Sequence, residues 1–404
     1  MNRWISIIGI TPTGRSDLCK ESQKIIGSSD AVFGGERHFN IMNSIIPDDI
    51  PKILWKSPIS DSISEIEGFR GKRVTILATG DPMVFGVGST LSRYFSKDEM
   101  SVLPAPSAFS LAAARLLWPL TEVDCISLHG RPIVSIRSHL ANRKKIIALS
   151  NDGKTPGEVC KDLIALGYGE SIVTVLENMG TTSESITTNT ANKWGVSFSS
   201  DLNTIAIECI GESKAKIFAG GIGLPDRAFS NKGLLTKREI RVLTLAALKP
   251  NLGQLLWDVG AGSGSVSIEW LLSNPNNHAI AIEKDQTSCD LIRKNSISLG
   301  VPRLIIEKGT APNVLQNMPN PDAVFIGGGI TDDKILRICW SRLNTGGRIV
   351  ANSVTTNGEQ KLYKFSEEIG GRMIRIQVSR SGPIGKYIGW KSLNPITQLE
   401  AFKQ

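Results

Sequence analysis

Short apolar runs alternate with amphipathic segments along the first half of the chain. The runs are rich in aliphatic residues and too short to be buried helices. The predicted strands are Trp4–Ile10, Ala31–Phe33, Arg73–Ala78, Ser101–Leu103, Lys145–Ser150, Ile172–Leu176 and Thr204–Cys209. The predicted helices between them are Ser16–Ile26, Gly88–Phe95, Ser107–Leu117 and Thr155–Leu166. Strands that alternate with helices predict an α/β domain with a largely parallel sheet.

The same alternation restarts in the second half. The predicted strands there are Gln254–Val259, Ala279–Glu283, Leu304–Lys308, Ala323–Ile326, Gly347–Ala351, Met373–Ser381 and Gly385–Trp390. The predicted helices are Thr236–Leu248, Val266–Leu272, Gln286–Leu299, Asp332–Leu343 and Gly358–Ile369. A capping box, Thr236-Lys237-Arg238-Glu239, is expected to open the first helix. The pattern predicts a seven-strand doubly wound sheet that ends in an antiparallel hairpin.

Between the two halves, the glycine-containing stretch Lys214–Leu235 has little hydrophobic periodicity, which predicts a linker between domains. We therefore expect one domain at residues 1–213, a linker at 214–233 and a second domain at 234–404. A length of 404 residues is consistent with two or three domains of ordinary size.

The amino-acid composition of the chain distinguishes between globular, secreted and membrane proteins. The chain is 41% hydrophobic and 21% charged, which is ordinary for a soluble globular protein. The opening apolar run ends at Thr11, so it is too short for a signal peptide or a membrane span. The six cysteines form no CxxC pair, so we expect reduced thiols, no metal site and a cytoplasmic location.

The net charge is unevenly distributed. Residues 226–404 hold 23 Lys and Arg against 15 Asp and Glu, so this half carries the whole net charge of +8. Such a half can meet nucleic acid, a membrane or a polyanionic small molecule, or it can simply be a solubility surplus.

A glycine-rich loop follows the first strand of the second half. Asp258 ends that strand, glycines alternate through the turn, and a helix follows at once. Glu283 ends the next strand and can accept hydrogen bonds from both hydroxyls of an unphosphorylated ribose. Dinucleotide sites usually show GxGxxG, whereas GxGxG here suits S-adenosylmethionine (SAM), which has no phosphate. The pattern predicts a Rossmann-like class I SAM-dependent methyltransferase. The expected loop contacts are Gly260, Ala261, Gly262, Ser263 and Gly264.

The segment Phe325–Gly329 ends the fourth strand, where the methyl acceptor is expected to bind. It lacks the Asn/Asp-Pro-Pro-aromatic tetrad of amino-group methyltransferases. It also lacks the cysteine nucleophile that RNA cytosine-C5 methyltransferases need near this point, because the nearest cysteine, Cys339, lies inside a predicted helix. Both absences disfavour nucleic acid as the substrate. Gly327 and Gly328 leave room for a bulky substrate beside the sulfonium.

Two motifs in the first half carry a resemblance. Gly80-Asp81-Pro82 followed by Phe85-Gly86, and then Pro104–Phe109, are similar to segments of the tetrapyrrole methylase family, which binds SAM between two α/β lobes. Over nearly the whole chain, the order of motifs resembles the family of fused precorrin-6Y (precorrin-6B) C5,15-methyltransferases of cobalamin synthesis. The further matching segments are Val32–His38, Ser127–Pro132, Leu224–Asp226, Leu235–Glu239 and Phe325–Gly329.

This resemblance implies methylation of a corrin precursor at C5 by the N-terminal unit and at C15 by the C-terminal unit. It also implies loss of CO2 from the ring C (C12) acetate, giving precorrin-8. By the same resemblance each unit holds one SAM molecule. The implied SAM contacts are Gly80, Asp81, Ser107 and Ala108 in the first unit, and Thr236, Gly260–Gly264, Glu283 and Ala311 in the second. The family's first loop is usually GIGxxG, whereas here Thr11 replaces the middle glycine.

A polycarboxylate substrate explains the positive charge without nucleic acid, because Arg and Lys bind carboxylates. The proposed anchors are Arg131, beside His129 in a matched motif, and Arg348, Arg380 and Lys386. His129 is a possible general acid or base. Methyl transfer needs no covalent nucleophile, so no catalytic residue is predicted. The expected partners are a tetrapyrrole and a second copy of the chain, without nucleic acid or membrane.

Three alternatives stay open at this point. They are a class I methyltransferase acting on RNA or protein with an accessory α/β domain, an NAD-dependent dehydrogenase, and a non-catalytic SAM-binding regulator.

Overall fold

The computed structural model describes residues 3–196, 198–216, 222–233 and 235–404. The chain divides into two compact units. The first comprises residues up to Ile133 together with Asn142–Lys216, and the second comprises Val134–Ala141 together with the described residues from 222 onward.

The first unit opens with a five-stranded sheet in which every strand pair is parallel. The strand order is β3-β2-β4-β1-β5. Its elements are β1 (Ile5–Ile10), α1 (Lys20–Gly27), β2 (Ala31–Gly34), α2 (Glu36–Met42), β3 (Lys52–Leu54), α3 (Ile59–Glu67), β4 (Val74–Thr79), α4 (Val87–Leu91) and β5 (Met100–Leu103). Of these, the sequence pattern did not predict α2, β3 or α3.

Both faces of this sheet are covered, which explains the uninterrupted apolar runs. Ile5 and Ile7 of β1 belong to one buried cluster, and Ile8 and Ile10 of the same strand belong to another. A strand buried on both faces has no polar side to alternate with its apolar side.

The second sheet of this unit is mixed, with the order β6-β7-β10-β8-β9. Its elements are α5 (Ala108–Leu116), β6 (Val123–Ser127), β7 (Lys145–Leu149), α6 (Thr155–Ala165), β8 (Ile172–Glu177), β9 (Ser185–Thr190) and β10 (Asn203–Glu208). Only β6 and β7 pair in parallel. The expectation of a largely parallel sheet therefore holds for the first sheet alone, because the short link between β8 and β9 cannot make the crossover that parallel strands need.

The second unit carries a seven-stranded sheet of order β13-β12-β11-β14-β15-β19-β16. Its first elements are α7 (Arg238–Leu248), β11 (Leu255–Val259), α8 (Ser265–Ser273), β12 (His278–Glu283), α9 (Gln286–Ser298), β13 (Ile305–Lys308) and β14 (Ala323–Ile326). The remaining elements are α10 (Asp333–Arg342), β15 (Arg348–Ser353), α11 (Thr356–Ile369), β16 (Arg372–Ile376), β17 (Ser379–Ile384), β18 (Tyr387–Ser392) and β19 (Ile396–Phe402). This is the doubly wound arrangement that the sequence predicted.

The end of the chain differs from the prediction. The expected strand Met373–Ser381 is split between β16 and β17, and β17 pairs with β18 in a separate two-stranded sheet. The seventh strand of the main sheet is β19, which lies antiparallel between β15 and β16. The sequence pattern did not predict β19, because its buried Thr397 and Gln398 are polar residues at core positions and break the apolar pattern.

The predicted capping box at Thr236 is wrong. Helix α7 begins at Arg238, its N-cap is Lys237, and no side chain of that residue caps the helix. Instead, the Arg238 N–H donates to Asp226 Oδ1 at 2.9 Å, so the cap comes from the segment expected to be a linker.

That segment is partly built into the second unit. Leu224 and Phe229 are buried, and the Ser230 N–H donates to Asn295 Oδ1 at 2.9 Å. Residues 217–221 and 234 of the expected linker lie outside the described part of the chain. Among the described helices, none has the length and apolar character to cross a membrane.

Candidate functional site

The second unit has a cavity of about 940 Å³ along the carboxyl edge of its sheet. The carboxyl ends of the parallel strands β11–β15 meet at this edge, because parallel strands end on the same side. The volume lies within the range of small-molecule sites. The predicted contacts that line it are Thr236, Gly260, Ala261, Gly262, Glu283, Ala311, Gly327 and Gly328.

The glycines after β11 are required by backbone geometry. Gly260, Gly262 and Gly264 all have positive φ, at 73°, 59° and 73°. A Cβ on Gly260 would lie 2.9 Å from the backbone of Gly328 in the loop after β14. The two loops therefore touch at the floor of the cavity, and only glycine fits at the contact.

Ser263 and Gly264 support this loop from behind and do not line the cavity. Ser263 is buried, and its carbonyl accepts a hydrogen bond from Asn295 Nδ2 at 2.9 Å. A Cβ on Gly264 would lie 2.9 Å from the side chain of Ile292. Both residues hold the loop against α9.

Glu283 faces the cavity at the end of β12. Its Oε2 accepts the Gly262 N–H at 3.0 Å, and its Oε1 accepts the N–H groups of Lys284 and Asp285 at 2.9 and 3.1 Å. These bonds fix the carboxylate and tie it to the glycine loop. Each carboxylate oxygen has about two acceptor sites, so the group retains capacity for a bound hydroxyl.

Asp258 lies beneath the same loop and is fully buried. Burial raises the pKa of Asp258 to about 6, and the charge of Glu283 acts in the same direction. The Ser267 N–H donates to Asp258 Oδ2 at 3.1 Å, and the Ser267 hydroxyl donates to the same oxygen. Asp258 thus fastens the end of β11 to the first turn of α8.

A buried ion pair holds the segment that leads into α7. The sequence pattern did not indicate this pair. Arg241 Nε donates to Glu269 Oε1 at 2.6 Å, and both side chains are fully buried. Arg241 Nη1 also donates to the carbonyl of Thr236 at 2.6 Å, and Thr236 lines the cavity. Glu269 accepts the N–H groups of Gly223 and Leu224 at 2.8 and 3.0 Å, so the pair is fully hydrogen-bonded.

In the first unit, three loops converge at the carboxyl edge of the parallel sheet. A Cβ on Gly9 would lie 2.0 Å from the Gly80 carbonyl oxygen and 2.5 Å from the Ala105 nitrogen. A cavity of about 710 Å³ opens beside them and is lined by Gly9, Thr11, Ala105 and other residues of these loops. None of the four predicted N-terminal contacts, Gly80, Asp81, Ser107 and Ala108, lines this cavity.

The predicted contacts of the first unit take different places around this edge. Gly80 has a φ of 64° and lines a smaller adjoining cavity together with Ala108. Ser107 caps α5 by accepting the Ser110 N–H at 3.1 Å and does not line either cavity. Asp81 also lines neither, and its Oδ1 accepts the Met83 N–H at 2.8 Å.

Thr11 lines both cavities of the first unit. Its hydroxyl donates to Asp17 Oδ2 at 2.7 Å, and the Thr13 hydroxyl donates to the same oxygen. The hydrogen bonds from Thr13 and Thr11 lower the pKa of Asp17 below its usual value. The loop after β1 is therefore closed by side-chain hydrogen bonds.

His38 and Arg37 lie at this edge and were not among the predicted site residues. His38 Nδ1 accepts the Gly35 N–H at 3.2 Å, and its Nε2 lies 3.0 Å from Thr79 Oγ1. Burial lowers the pKa of His38 to about 4, with a further contribution from the positive charge of Arg37, so the imidazole is neutral at pH 7. Arg37 lines the smaller cavity beside Thr79. The sequence signals for them were their place directly after β2 and their position in the matched segment Val32–His38.

Most predicted substrate anchors lie elsewhere. His129 and Arg131 are exposed and line neither cavity of the first unit, and the Arg131 guanidinium lies 5.4 Å from the ring centroid of Phe85. Arg348 is wrong as an anchor, because it is buried and donates to Leu248 O, to Lys249 O and to Gln254 Oε1.

Arg380 and Lys386 both belong to the hairpin region of the second unit. Arg380 Nη2 pairs with Asp226 at 2.9 Å and with Glu239 at 2.5 Å. The Lys386 ammonium lies 5.4 Å from the ring centroid of Tyr387. Arg380 is therefore engaged in fastening β17 to α7.

Comparison with known proteins agrees with this two-unit arrangement. Residues 5–194 match the tetrapyrrole (corrin/porphyrin) methylases, and residues 227–403 match the precorrin methyltransferase domain. A "precorrin-6Y C(5,15)-methyltransferase (decarboxylating)" from Sinorhizobium sp is 42% identical over 395 residues, covering 98% of this chain and 95% of the relative.

Two shorter relatives each match 45% of the chain. A "probable cobalt-precorrin-6B C(15)-methyltransferase (decarboxylating)" of Pyrobaculum aerophilum is 32% identical over 95% of its length. A "cobalt-precorrin-7 C(5)-methyltransferase" of Salmonella typhimurium is 27% identical over 88% of its length. Because the similarity to the fused relative spans both units, the chain belongs to the precorrin-6Y C(5,15)-methyltransferase (decarboxylating) family.

Proposed function

We propose that this chain methylates precorrin-6B at C5 and C15 with two SAM molecules and removes CO2 from the ring C acetate, giving precorrin-8. The observation that carries the proposal is the match of both halves of the chain, in order, to methyltransferase families that act on this class of ring. The two shorter relatives are each named for one of the two positions, which supports a division of labour between the units.

The second unit has the features that a SAM site requires. The glycine loop Gly260–Gly264 allows close approach of a ligand to the backbone, and Glu283 retains acceptor capacity for ribose hydroxyls. When bound, SAM supplies an electrophilic methyl group on a sulfonium. The chain aligns the two reactants and excludes water, which is the main protein contribution to a direct displacement.

The same cavity continues beyond the cofactor loop toward β15 and β19. Gly327 and Gly328 carry no side chain, and Asn352, Val354 and Ile396 line the continuation. This half is where we place the tetrapyrrole. The sheet order supports the assignment, because β14 separates the cofactor strands β11–β13 from β15 and β19.

We propose a second SAM site in the first unit, at the edge where Gly9, Gly80 and Ala105 converge. Tetrapyrrole methylases are the family that this unit matches. Thr11 and Asp17 are hydrogen-bonded to each other, and both line the larger cavity at this edge. By this proposal the first unit methylates C5.

Decarboxylation is coupled to C15 methylation by charge. A methyl group transferred as a cation leaves the macrocycle one positive charge richer. Loss of CO2 from the acetate breaks the bond between its methylene and carboxylate carbons, and the bonding electron pair flows into the ring and cancels that charge. The methylene carbon then takes up a proton to become a methyl group, and the methylated C15 releases a proton, so the ring stays neutral. The acetate supplies the electrons, so neither an oxidant nor a reductant is needed.

The experiment is to incubate the full chain with precorrin-6B and SAM carrying a deuterated methyl group, then to weigh the tetrapyrrole product by mass spectrometry. The proposal expects two labelled methyl groups and the loss of one CO2. An unmodified tetrapyrrole, or label transferred to RNA or protein instead, would overturn it. A thermal shift with NAD but not SAM would favour a dehydrogenase. Assembly with a second copy of the chain stays a prediction.

A further inference from the structure

A buried cluster of three uncharged polar side chains lies next to the part of the second unit's cavity where we place the tetrapyrrole. Asn352 on β15, Thr244 on α7 and Gln398 on β19 are at least nine-tenths buried. Of the three, only Asn352 lines the cavity. Three polar side chains in a hydrophobic interior are costly unless they are bonded to one another or serve a ligand.

The hydrogen bonds fix the orientation of the Asn352 amide. Its Nδ2 donates to Thr244 Oγ1 at 2.8 Å, and its Oδ1 accepts from Gln398 Nε2 at 2.8 Å. Gln398 Nε2 also donates to Thr244 Oγ1 at 3.2 Å. A primary amide has two donor hydrogens and two acceptor lone pairs. One donor and one acceptor of Asn352 therefore remain for a ligand in the cavity.

The segments of the lining next to Asn352 in the chain and in the sheet contribute uncharged residues, whereas the charged lining residues, Lys237, Glu283, Lys284 and Asp332, come from other segments. The neighbouring strand ends and the link from β18 to β19 contribute Val354, Ser392, Leu393, Asn394 and Ile396 to the lining. A carboxylate bound to Asn352 therefore meets a neutral hydrogen-bond donor beside the apolar side chains of Val354, Leu393 and Ile396.

We propose that Asn352 binds the ring C acetate carboxylate, the group that leaves as CO2. The inference rests on the proposed function and names the residue that receives the reacting group. A lysine or arginine would stabilise this carboxylate and so oppose its loss. A neutral amide orients it, while the apolar lining removes its water and raises its energy relative to the transition state. In this scheme Gln398 and Thr244 are positioning residues.

The test compares the substrate with the product, which differ at the acetate and by the two added methyl groups. Precorrin-6B has the carboxylate, and precorrin-8 has lost it. Asn352→Ala is expected to raise the Kd for precorrin-6B roughly tenfold or more, because a hydrogen bond to a charged group usually contributes that much binding affinity. The Kd for precorrin-8 is expected to stay unchanged. Asn352→Asp is expected to weaken precorrin-6B binding further, because two carboxylates repel.

Asn277→Ala is the matched control, because Asn277 is also fully buried in this unit but does not line the cavity. It is expected to leave both Kd values unchanged. Gln398→Leu frees the amide to rotate, so methylated product that retains the acetate is expected to accumulate. SAM binding, measured for each variant, reports that the unit is folded.

Equal weakening of both tetrapyrroles by Asn352→Ala, or the same selective loss in Asn277→Ala, would overturn the inference. Unchanged CO2 release by Asn352→Asp would also overturn it. Failure of the proposed function looks different, because then the wild-type chain itself neither methylates precorrin-6B nor releases CO2.

Discussion

Gly260 is a position where a single added methyl group is expected to damage the proposed cofactor site of the second unit. Gly260→Ala places a Cβ 2.9 Å from Gly328 Cα and N, and it forces alanine to adopt a φ of 73°. The left-handed conformation costs an L-residue about 1–2 kcal/mol. Displacing the Gly328 backbone adds about 1–3 kcal/mol, the usual cost of overpacking.

Gly253 provides a matched control in the same unit. Its φ is 74°, and a Cβ built there meets nothing within 4 Å. Gly253→Ala therefore carries the backbone cost of about 1–2 kcal/mol without the crowding. The difference between the two variants isolates the contact between the two loops.

The assay is urea unfolding together with titration calorimetry of SAM binding to the second unit. Gly260→Ala is expected to lose about 1–3 kcal/mol more stability than Gly253→Ala. Because relief of the clash moves Gly328 at the cavity floor, we expect SAM affinity to fall about 10- to 100-fold in Gly260→Ala alone. Equal stability and equal SAM affinity in the two variants would refute a close contact between the loops.

Two further predictions concern the first unit's edge and the buried carboxyl group. Gly9→Ala is expected to abolish methylation at C5, because its Cβ would lie 2.0 Å from the Gly80 carbonyl oxygen. Gly27→Ala is the control and is expected to leave this methylation unchanged, because a Cβ there meets nothing within 4 Å. Mass spectrometry of the tetrapyrrole product of each variant counts the added methyl groups. The pKa of Asp258 rises from 3.8 to about 6 on folding, so its contribution to stability falls by about 2 kcal/mol as pH rises from 4 to 7. Urea unfolding of wild type and Asp258→Asn at both pH values measures this, and a difference that does not vary with pH would contradict it.

The local pattern was sufficient for the elements buried on both faces. Strands such as β1 and β11 are short apolar runs bounded by turn residues, and their helices follow the expected period. The glycine loop was also readable, because strand, turn, helix and terminal acid occur in a fixed order. These features depend on residues that are near one another in sequence.

The missed features depend on partners distant in sequence. Strand β19 places Gln398 in the core, where Asn352 and Thr244 satisfy its amide, and no local pattern shows that such partners exist. Arg348 looks like any surface arginine until its carbonyl acceptors at Leu248 and Lys249 are known. Asp226 caps α7 from twelve residues upstream, so the nearer Thr236 gave a false signal.

The central claim is that two unlike SAM sites in one chain modify one tetrapyrrole. Complementation between two inactivated chains tests it most directly. At a SAM concentration near the wild-type Kd, a 10- to 100-fold loss of affinity leaves the second unit of Gly260→Ala largely without SAM. Under that condition neither Gly9→Ala nor Gly260→Ala alone is expected to add both methyl groups to precorrin-6B. Mixing the two variants with substrate and SAM is expected to restore a product with two new methyl groups and one CO2 fewer. A variant that adds both methyl groups by itself would contradict the claim.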